Sequence, residues 1–486
     1  MANTIIPHKV LGDKNGSKQE NASLWAAWWN AMLLLSPAFS HVQAFMWFAV
    51  SVAGLTVRSD MLGVTSIVRA LKLHNCFYHA LLRNFHSNAV RLDTLSELWA
   101  KTVLRLFPSP LRVNGRRVIV GDGIKVAKRG KKMPGVKLLH QQSENKAEFI
   151  MGHSLQAVSL LVHAEQSVMA VPLAVRIHEG TVFCNRSKKT LLDKMIGLLK
   201  IVNNGEAEGF YFVADAYYAA HPIVFGMLEM GSHLITRVKS NAVAYVPHLH
   251  EGPKKRGRPR LYGEKIVLAS FCNRKKMQQA SSPVYGEQNI VLHYIVRDLL
   301  WKPIGRVVRF VAVTHPTRGS CLLMSTDMAL DAVEIIRLYG LRFKIEYSFK
   351  QAVHQIGSFA YHFWMRHMTP QKQGSGNQYL HRKSLKYRES VKRKLHAYHV
   401  FIQAGVIAQG LSQYLSIVFP KLVWSSFGSW LRTIRPGIAP SEFVVAEALR
   451  QSLPHFLLSN AHQHAFAKFV MQRQDLDKME IFRMVA

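Results

Sequence analysis

At 486 residues and 49% hydrophobic side chains, the chain can bury a large core, which excludes an intrinsically disordered protein. Its 63 Lys and Arg stand against 29 Asp and Glu, a formal net charge of +34. An excess of that size needs a polyanion to match it, nucleic acid first, with anionic membrane and acidic substrates behind. The four cysteines, Cys76, Cys184, Cys272 and Cys321, lie far apart with no C-x-x-C pair. That argues against a zinc ribbon or a disulfide framework and makes a reducing cytoplasm the simplest setting.

In chain order, residues 1–20 read as a polar arm without the apolar run of a signal peptide. Leu24 to Val57 is rich in Trp, Phe, Ala and Leu, but Asn30, Pro37, Ser40, His41 and Gln43 interrupt it. The unbroken part, Ala44 to Val57, is short for roughly 30 Å of hydrocarbon, so core helices are expected rather than a membrane span. Ser59 to Ser87 predicts a helix over Val64–Leu71, a turn, and a helix over Cys76–Phe85. That outline suits a helix-turn-helix with His79, Arg83 and Asn84 facing a groove, and equally two amphipathic helices of any bundle.

Between Val113 and Glu179 the pattern turns to strands: RRVIVGDGIKVA, FIMGHSLQAVSLLVHA and SVMAVPLAVRIHEG. KKTLLDKMIGLLKIVNN predicts an amphipathic helix, GFYFVADAYYAA a buried strand, HPIVFGMLEMG a short helix and SHLITRVKSNAVAYV another strand. Together these make a mixed α/β sheet. EGPKKRGRPRLYGEK is a basic loop rich in Pro and Gly, followed by strand-like runs at Lys265–Cys272, Val291–Val296 and Val307–Val313. Leu338 to Gly357 predicts one helix with a buried stripe of Phe343, Ile345, Phe349, Ala352 and Ile356, stopped by Gly357. Arg342, Glu346 and Lys350 share another face of it, with Tyr339 near the same line. Taken alone, that face is an exposed Glu between two i,i+4 ion pairs. A polar, basic tract over Pro370–Lys394 and several further helices complete the chain, with a Pro-rich break near Arg435–Pro440.

Acidic residues inside apolar runs are the unusual feature. Asp122 ends VIVGD and Asp215 ends YFVAD, where a bare carboxylate is costly unless a cation sits beside it. With Glu346 they make three carboxylates suited to Mg²⁺ or Mn²⁺, and two such ions would serve phosphodiester cleavage. Each also has a plain explanation: Asp122 as a turn residue between glycines, Asp215 as a helix N-cap ahead of Tyr217.

These segments resemble those of DDE transposases of bacterial insertion sequences, most closely the group with a Tyr-x2-Arg-x3-Glu-x6-Lys signature. VIVGDGIKVAKRGKKMPGVK is similar to the family's first-aspartate segment and GFYFVADAYY to its second. YGLRFKIEYSFKQAV carries Tyr339, Arg342 and Glu346 at the family spacing, whereas Val353 stands in the place of the signature lysine and Lys350 lies one turn earlier. The resemblance runs from about Arg116 to Gln355. It implies an α/β fold: an RNase H-like mixed-sheet core interrupted by a β-rich insertion and flanked by helical domains. The divisions expected are 1–110, 111–250, 251–325 (the insertion), 326–360 (the Glu-bearing helix) and 361–486.

The resemblance further implies catalysis by Asp122, Asp215 and Glu346 on two Mg²⁺ or Mn²⁺ ions. It implies cleavage at transposon ends and transfer of the 3′-hydroxyl into target DNA, by a homodimer in the synaptic complex, in the cytoplasm and without a membrane. Tyr339 and Arg342 would contact DNA phosphate, Lys350 would stand in for the missing lysine, and Trp301 is the nearest tryptophan of the insertion to assist a flipped base. Beside the resemblance, Lys125, Lys128, Arg129, Lys131 and Lys132 follow Asp122 closely enough to hold DNA backbone. Arg256-Gly257-Arg258-Pro259 has the form of an AT-hook core or of a solvated loop. The alternatives are a related nuclease without strand transfer, a DNA-binding relative that does not cut, and a membrane-associated protein.

Overall fold

The computed structural model describes residues 23–475 apart from 142–146, 166, 188, 249–259, 274–276, 285, 429–432 and 436. The helices α1 (Leu24–Leu33), α2 (Val42–Val57), α3 (Val64–Ala70), α4 (Tyr78–Phe85) and α5 (Leu92–Leu106) come first. Then follow β1 (Arg112–Val113), β2 (Arg116–Ala127), β3 (Lys137–His140), β4 (Phe149–Ala164), β5 (Ser167–Ile177) and β6 (Thr181–Val182). Next are α6 (Leu191–Val202), β7 (Phe210–Ala214), α7 (His221–Glu229) and β8 (His233–Arg237).

The side-by-side order β5-β4-β2-β7-β8 is the core of the fold, with β4 antiparallel to its neighbours β5 and β2 and with β2, β7 and β8 parallel. This is the RNase H-like mixed sheet. The apolar, β-branched runs explain it: Val118–Val120 and all of β7 are buried, as parallel strands covered on both faces must be. Gly121 lets β2 pass close to its neighbour, because a side chain there would run into the Phe212 ring.

The insertion comprises β9 (Val243–Pro247), β10 (Tyr262–Val267), β11 (Gln278–Ser281), β12 (Val291–Trp301), β13 (Arg306–His315) and β14 (Gly319–Ser325). It is not a separate layer. Strand β14 pairs antiparallel with β8, so the insertion continues the core sheet from its edge. The run SHLITRVKSNAVAYV, expected as one strand, divides: a turn closed by Ala242 N–H on the Lys239 carbonyl sends β9 away to pair with β12.

The last part holds α8 (Ala332–Leu341), α9 (Lys344–Gln351), β15 (Gln378–Tyr379), α10 (Leu385–Val418), α11 (Pro420–Phe427), α12 (Glu442–Ser459) and α13 (Ala465–Met471). The single helix expected over Leu338–Gly357 is three pieces. It breaks at Arg342–Phe343, resumes as α9, and widens to a π-turn over Ala352–Ile356 before Gly357 ends it at φ +67°. Phe343, expected in the buried stripe, is exposed because the break turns it outward. Residues 385–394, expected in a polar tract, belong to α10, whose N-terminus Ser384 caps. Helix α10 is long and apolar enough to cross a membrane, but 94% of its apolar window is buried inside the protein. The shorter apolar helix α2 is buried as well, at every residue from Ala44 to Val57. The two helical flanks share one core: Trp25 Nε1 donates to the Leu449 carbonyl at 3.1 Å and its ring stacks on Phe466.

Candidate active site

Parallel pairing of β2 and β7 sets Val120 opposite Val213. Asp122 and Asp215 each lie two residues further along, so register brings the two side by side: Asp122 within β2, which runs on to Ala127 against β4, and Asp215 just past the end of β7. Asp122 accepts from the Gly123 N–H at 2.7 Å. Asp215 caps the turn that follows, accepting from the Tyr217 N–H at 3.0 Å, and its own carbonyl takes the Thr236 hydroxyl of β8 at 2.7 Å. The N-cap expected of Asp215 and a place in the carboxylate pair are therefore compatible. Burial, and after it the Asp122 carboxylate, push the Asp215 carboxyl above the usual range. Buried Tyr218 packs beside both, its hydroxyl pushed up by burial and then by the two aspartates.

Arg342 reaches this pair from the helical side. It is the C-cap residue of α8, at the break. Nη1 donates to Asp122 Oδ2 at 2.6 Å and Nη2 to Glu346 Oε1 at 3.0 Å. Burial works against its charge, but Asp122, then Tyr339 and Glu346, hold its pKa above the ordinary value. Glu346 itself, on the first turn of α9, is 57% exposed. Among the described residues it pairs with Arg342 and not with Lys350, which stands exposed one turn on. One of the two ion pairs expected around Glu346 thus forms.

The donor set suits a hard divalent cation. Two aspartates share one place, and the upward shift of Asp215 is the penalty a cation would remove. Among the described residues, no three Asp, Glu, His or Cys side chains converge closely enough to hold an ion by themselves. The Arg342 guanidinium spans Asp122 and Glu346 instead. Tyr339 and Arg342 also line a cleft of about 500 Å³ between α8 and β12–β14, with His315, Cys321 and Phe343 among its other walls. Burial pushes the Tyr339 hydroxyl up.

The remaining sequence candidates divide. Lys125 is exposed on β2 and donates to the His140 carbonyl at 2.5 Å. Lys128, expected on DNA backbone, is instead buried: Nζ donates to the carbonyls of Phe359 and Tyr361 and lies 3.6 Å from the centre of the Tyr361 ring. Burial lowers its amine to about 7. Trp301, expected near a flipped base, is 6% exposed at the end of β12, packed in the core of the insertion. Asn84, expected to face a groove, is buried on α4, while His79 and Arg83 are exposed. Arg256 and Arg258 lie outside the described residues.

Sequence reasoning missed Arg58. It is 4% exposed, and its Nη2 donates to the carbonyls of Ile356 and Gly357 at 2.7 and 2.9 Å, tying the end of the π-turn to the N-terminal helices. The one available signal was an arginine directly after an apolar helix, which reads as an exposed boundary.

Compared with known families, residues 34–296, just over half of the chain, match the family described as DDE superfamily endonuclease. The match spans Asp122 and Asp215 and stops before Glu346. No curated protein matches the chain.

Proposed function

This chain belongs to the DDE superfamily of endonucleases, and we propose that within it the protein is a transposase of the insertion-sequence group with the Tyr-x2-Arg-x3-Glu signature. It binds the ends of its element, cleaves phosphodiester bonds and transfers the 3′-hydroxyl ends into target DNA, acting as a homodimer in the synaptic complex in the cytoplasm. The observation that supports this most is the ion-pair bridge. Asp122 and Arg342 are 220 positions apart in sequence, yet the fold brings them together beside Asp215, with Glu346 on the same guanidinium.

Asp122 and Asp215, joined by Glu346, would hold Mg²⁺ or Mn²⁺, which when bound activates the attacking oxygen and stabilises the leaving one. Arg342 then has a second use. Its planar fork fits a phosphate as it fits a carboxylate, so release from Asp122 frees Nη1, and release from Glu346 frees Nη2, for the DNA backbone. Tyr339, one turn earlier on the same cleft, offers its hydroxyl to that phosphate. Lys350 and Lys125, exposed on either side, supply further positive charge.

A second reading has its own observation. Val353 occupies the signature lysine position, and Arg342 neutralises two of the three carboxylates, which would suit a relative that binds DNA without cutting it. Single-turnover reactions with Mg²⁺ on DNA carrying the element's flanking ends separate the two. Cleavage and joining are expected, and Asp122→Ala, Asp215→Ala and Glu346→Ala are each expected to reduce cleavage to background with DNA binding retained. Cleavage persisting in one variant removes that residue from the site. Cutting without joining leaves a nuclease, and no cutting by the wild type leaves the DNA-binding relative.

A further inference from the structure

The segment after the Glu-bearing helix runs free of helix and turn over residues 360–365, up to a turn at Arg366, beside the loop that follows β2. Met365 N–H donates to the Lys132 carbonyl at 3.0 Å, Gln371 N–H to the Lys131 carbonyl at 2.7 Å, and Lys132 Nζ to the Arg366 carbonyl at 3.2 Å. Lys128 fastens the other end through the Phe359 and Tyr361 carbonyls. The strip alternates with period two. Tyr361, Phe363 and Met365 are buried, while His362, Trp364 and Arg366 face outward.

Trp364 is 65% exposed, the most hydration-costly side chain to leave in water. It is held there from below: a side chain at Gly130 would run into Met133 and Trp364. Arg129 and Lys131 flank that glycine in the loop and Arg366 lies two residues along the strip, all exposed. No acidic residue occurs between Asp122 and Glu144, nor between Glu346 and Glu389, so both segments that build this surface carry positive charge only.

We propose that this surface is a single-strand platform: it takes an unpaired stretch of DNA, stacking a base on Trp364 with phosphates on Arg129, Lys131 and Arg366. Duplex DNA satisfies the cations alone, because its bases are already stacked on each other. An unpaired base offers the indole a free π-face, and an aromatic ring among basic groups is the arrangement that reads strands by stacking. The loop continues the strand that carries Asp122, so the platform would receive DNA opened beside the site; that placement rests on the transposase reading, whereas the binding itself does not.

The test is equilibrium binding by the full chain in EDTA, which removes cleavage from the measurement. Three labelled probes share one duplex: blunt, with a short thymidine tail, and with the same tail abasic. The wild type is expected to prefer the thymidine tail over the abasic tail by about 5- to 100-fold, the range of stacking one base. Trp364→Ala is expected to abolish that preference and Trp364→Phe to keep most of it. Arg129→Gln is expected to weaken binding to all three probes and to flatten the salt slope by about 0.9. Equal affinity of the wild type for thymidine and abasic tails overturns the proposal, as does a preference that survives in Trp364→Ala. End cleavage failing while the tail preference holds sinks the transposase reading alone; the reverse sinks the platform alone.

Discussion

The strand-borne aspartates and the helix-borne Arg342–Glu346 pair reach one point with different kinds of support. Asp122 lies within β2 and Asp215 follows β7, strands whose ladder is regular and whose residues 117–121 and 210–214 are buried on both faces. Their separation follows from backbone register and has little freedom. Arg342 and Glu346 sit on an element that breaks at residues 342–343 and widens at 352–356. Its position is fixed by side chains reaching in from elsewhere: Arg58 on the carbonyls of Ile356 and Gly357, and Gln409 on the Ser348 carbonyl at 3.1 Å. A site with one rigid wall and one adjustable wall can change partners on the adjustable side, which is what the proposed exchange of Arg342 from carboxylate to phosphate would require.

Three substitutions probe this contrast. The largest effect is expected from Arg342→Lys. It keeps the charge but loses the fork, and misplacement of this order costs about 10²-fold in rate. Lysine keeps a cation beside Asp122, and the contact it loses to Glu346, 57% exposed, is worth less than roughly 1 kcal/mol, so the melting temperature should stay near that of the wild type. Near-normal single-turnover cleavage would return Arg342 to a structural pair.

Next, Arg58→Met leaves the Ile356 carbonyl without its donor, while the Gly357 carbonyl keeps the Ala360 N–H, and should cost about 1–3 kcal/mol. Because the loss falls at the end of the adjustable wall, hydrogen exchange should quicken over residues 344–357 and stay slow in β2 and β7. Uniform loosening of both walls would erase the distinction between them.

The smallest effect concerns Glu442, which lies under the same wall. Its Oε1 accepts from Gln413 at 2.7 Å, its Oε2 has no partner among the described residues, and burial raises its carboxyl to about 7. The folded state therefore holds a proton that the unfolded chain releases near pH 4.5, and stability falls as pH rises from there to about 7. Glu442→Gln removes the penalty and should raise stability at pH 8 by on the order of 1 kcal/mol, with no gain below about pH 4.5. Thermal melts across that range decide it; a gain independent of pH would point to packing instead.

The rigid wall was legible in the sequence and the adjustable one only in part. Apolar, β-branched runs ending in Asp122 and Asp215 state both the strands and the carboxylates. The break at Arg342–Phe343 was not legible, because Phe343, Ile345 and Phe349 keep helical spacing straight through it. Lys128 was misread because it sits in a run of lysines and arginines that look alike, and only its meeting with residues 359–361, more than 230 positions away, buries it. Trp301 was misread for a like reason: it ends an apolar strand and belongs to the core. Trp364 drew no reading, although it lies in an aromatic strip that alternates with period two. The pairing of β14 with β8, which makes the insertion part of the core sheet, depends on a long-range edge contact that no local pattern encodes.

The shared core of the helical flanks has a consequence for how the protein is made. The carbonyl that receives the Trp25 indole belongs to Leu449, 424 positions later, and Phe466, which stacks on the same ring, comes later still. At synthesis rates of about 5–20 residues per second, the apolar faces of α1 and α2 wait on the order of 20–80 s for their partners. During that interval Trp25, Trp28, Phe45 and Phe48, all buried in the finished protein, lack the C-terminal half of their core. The nascent chain is then a substrate for chaperones and proteases, and a chain truncated before α12 never leaves that condition. Production of the folded protein is thus limited by completion of the whole chain, since its first helices close last.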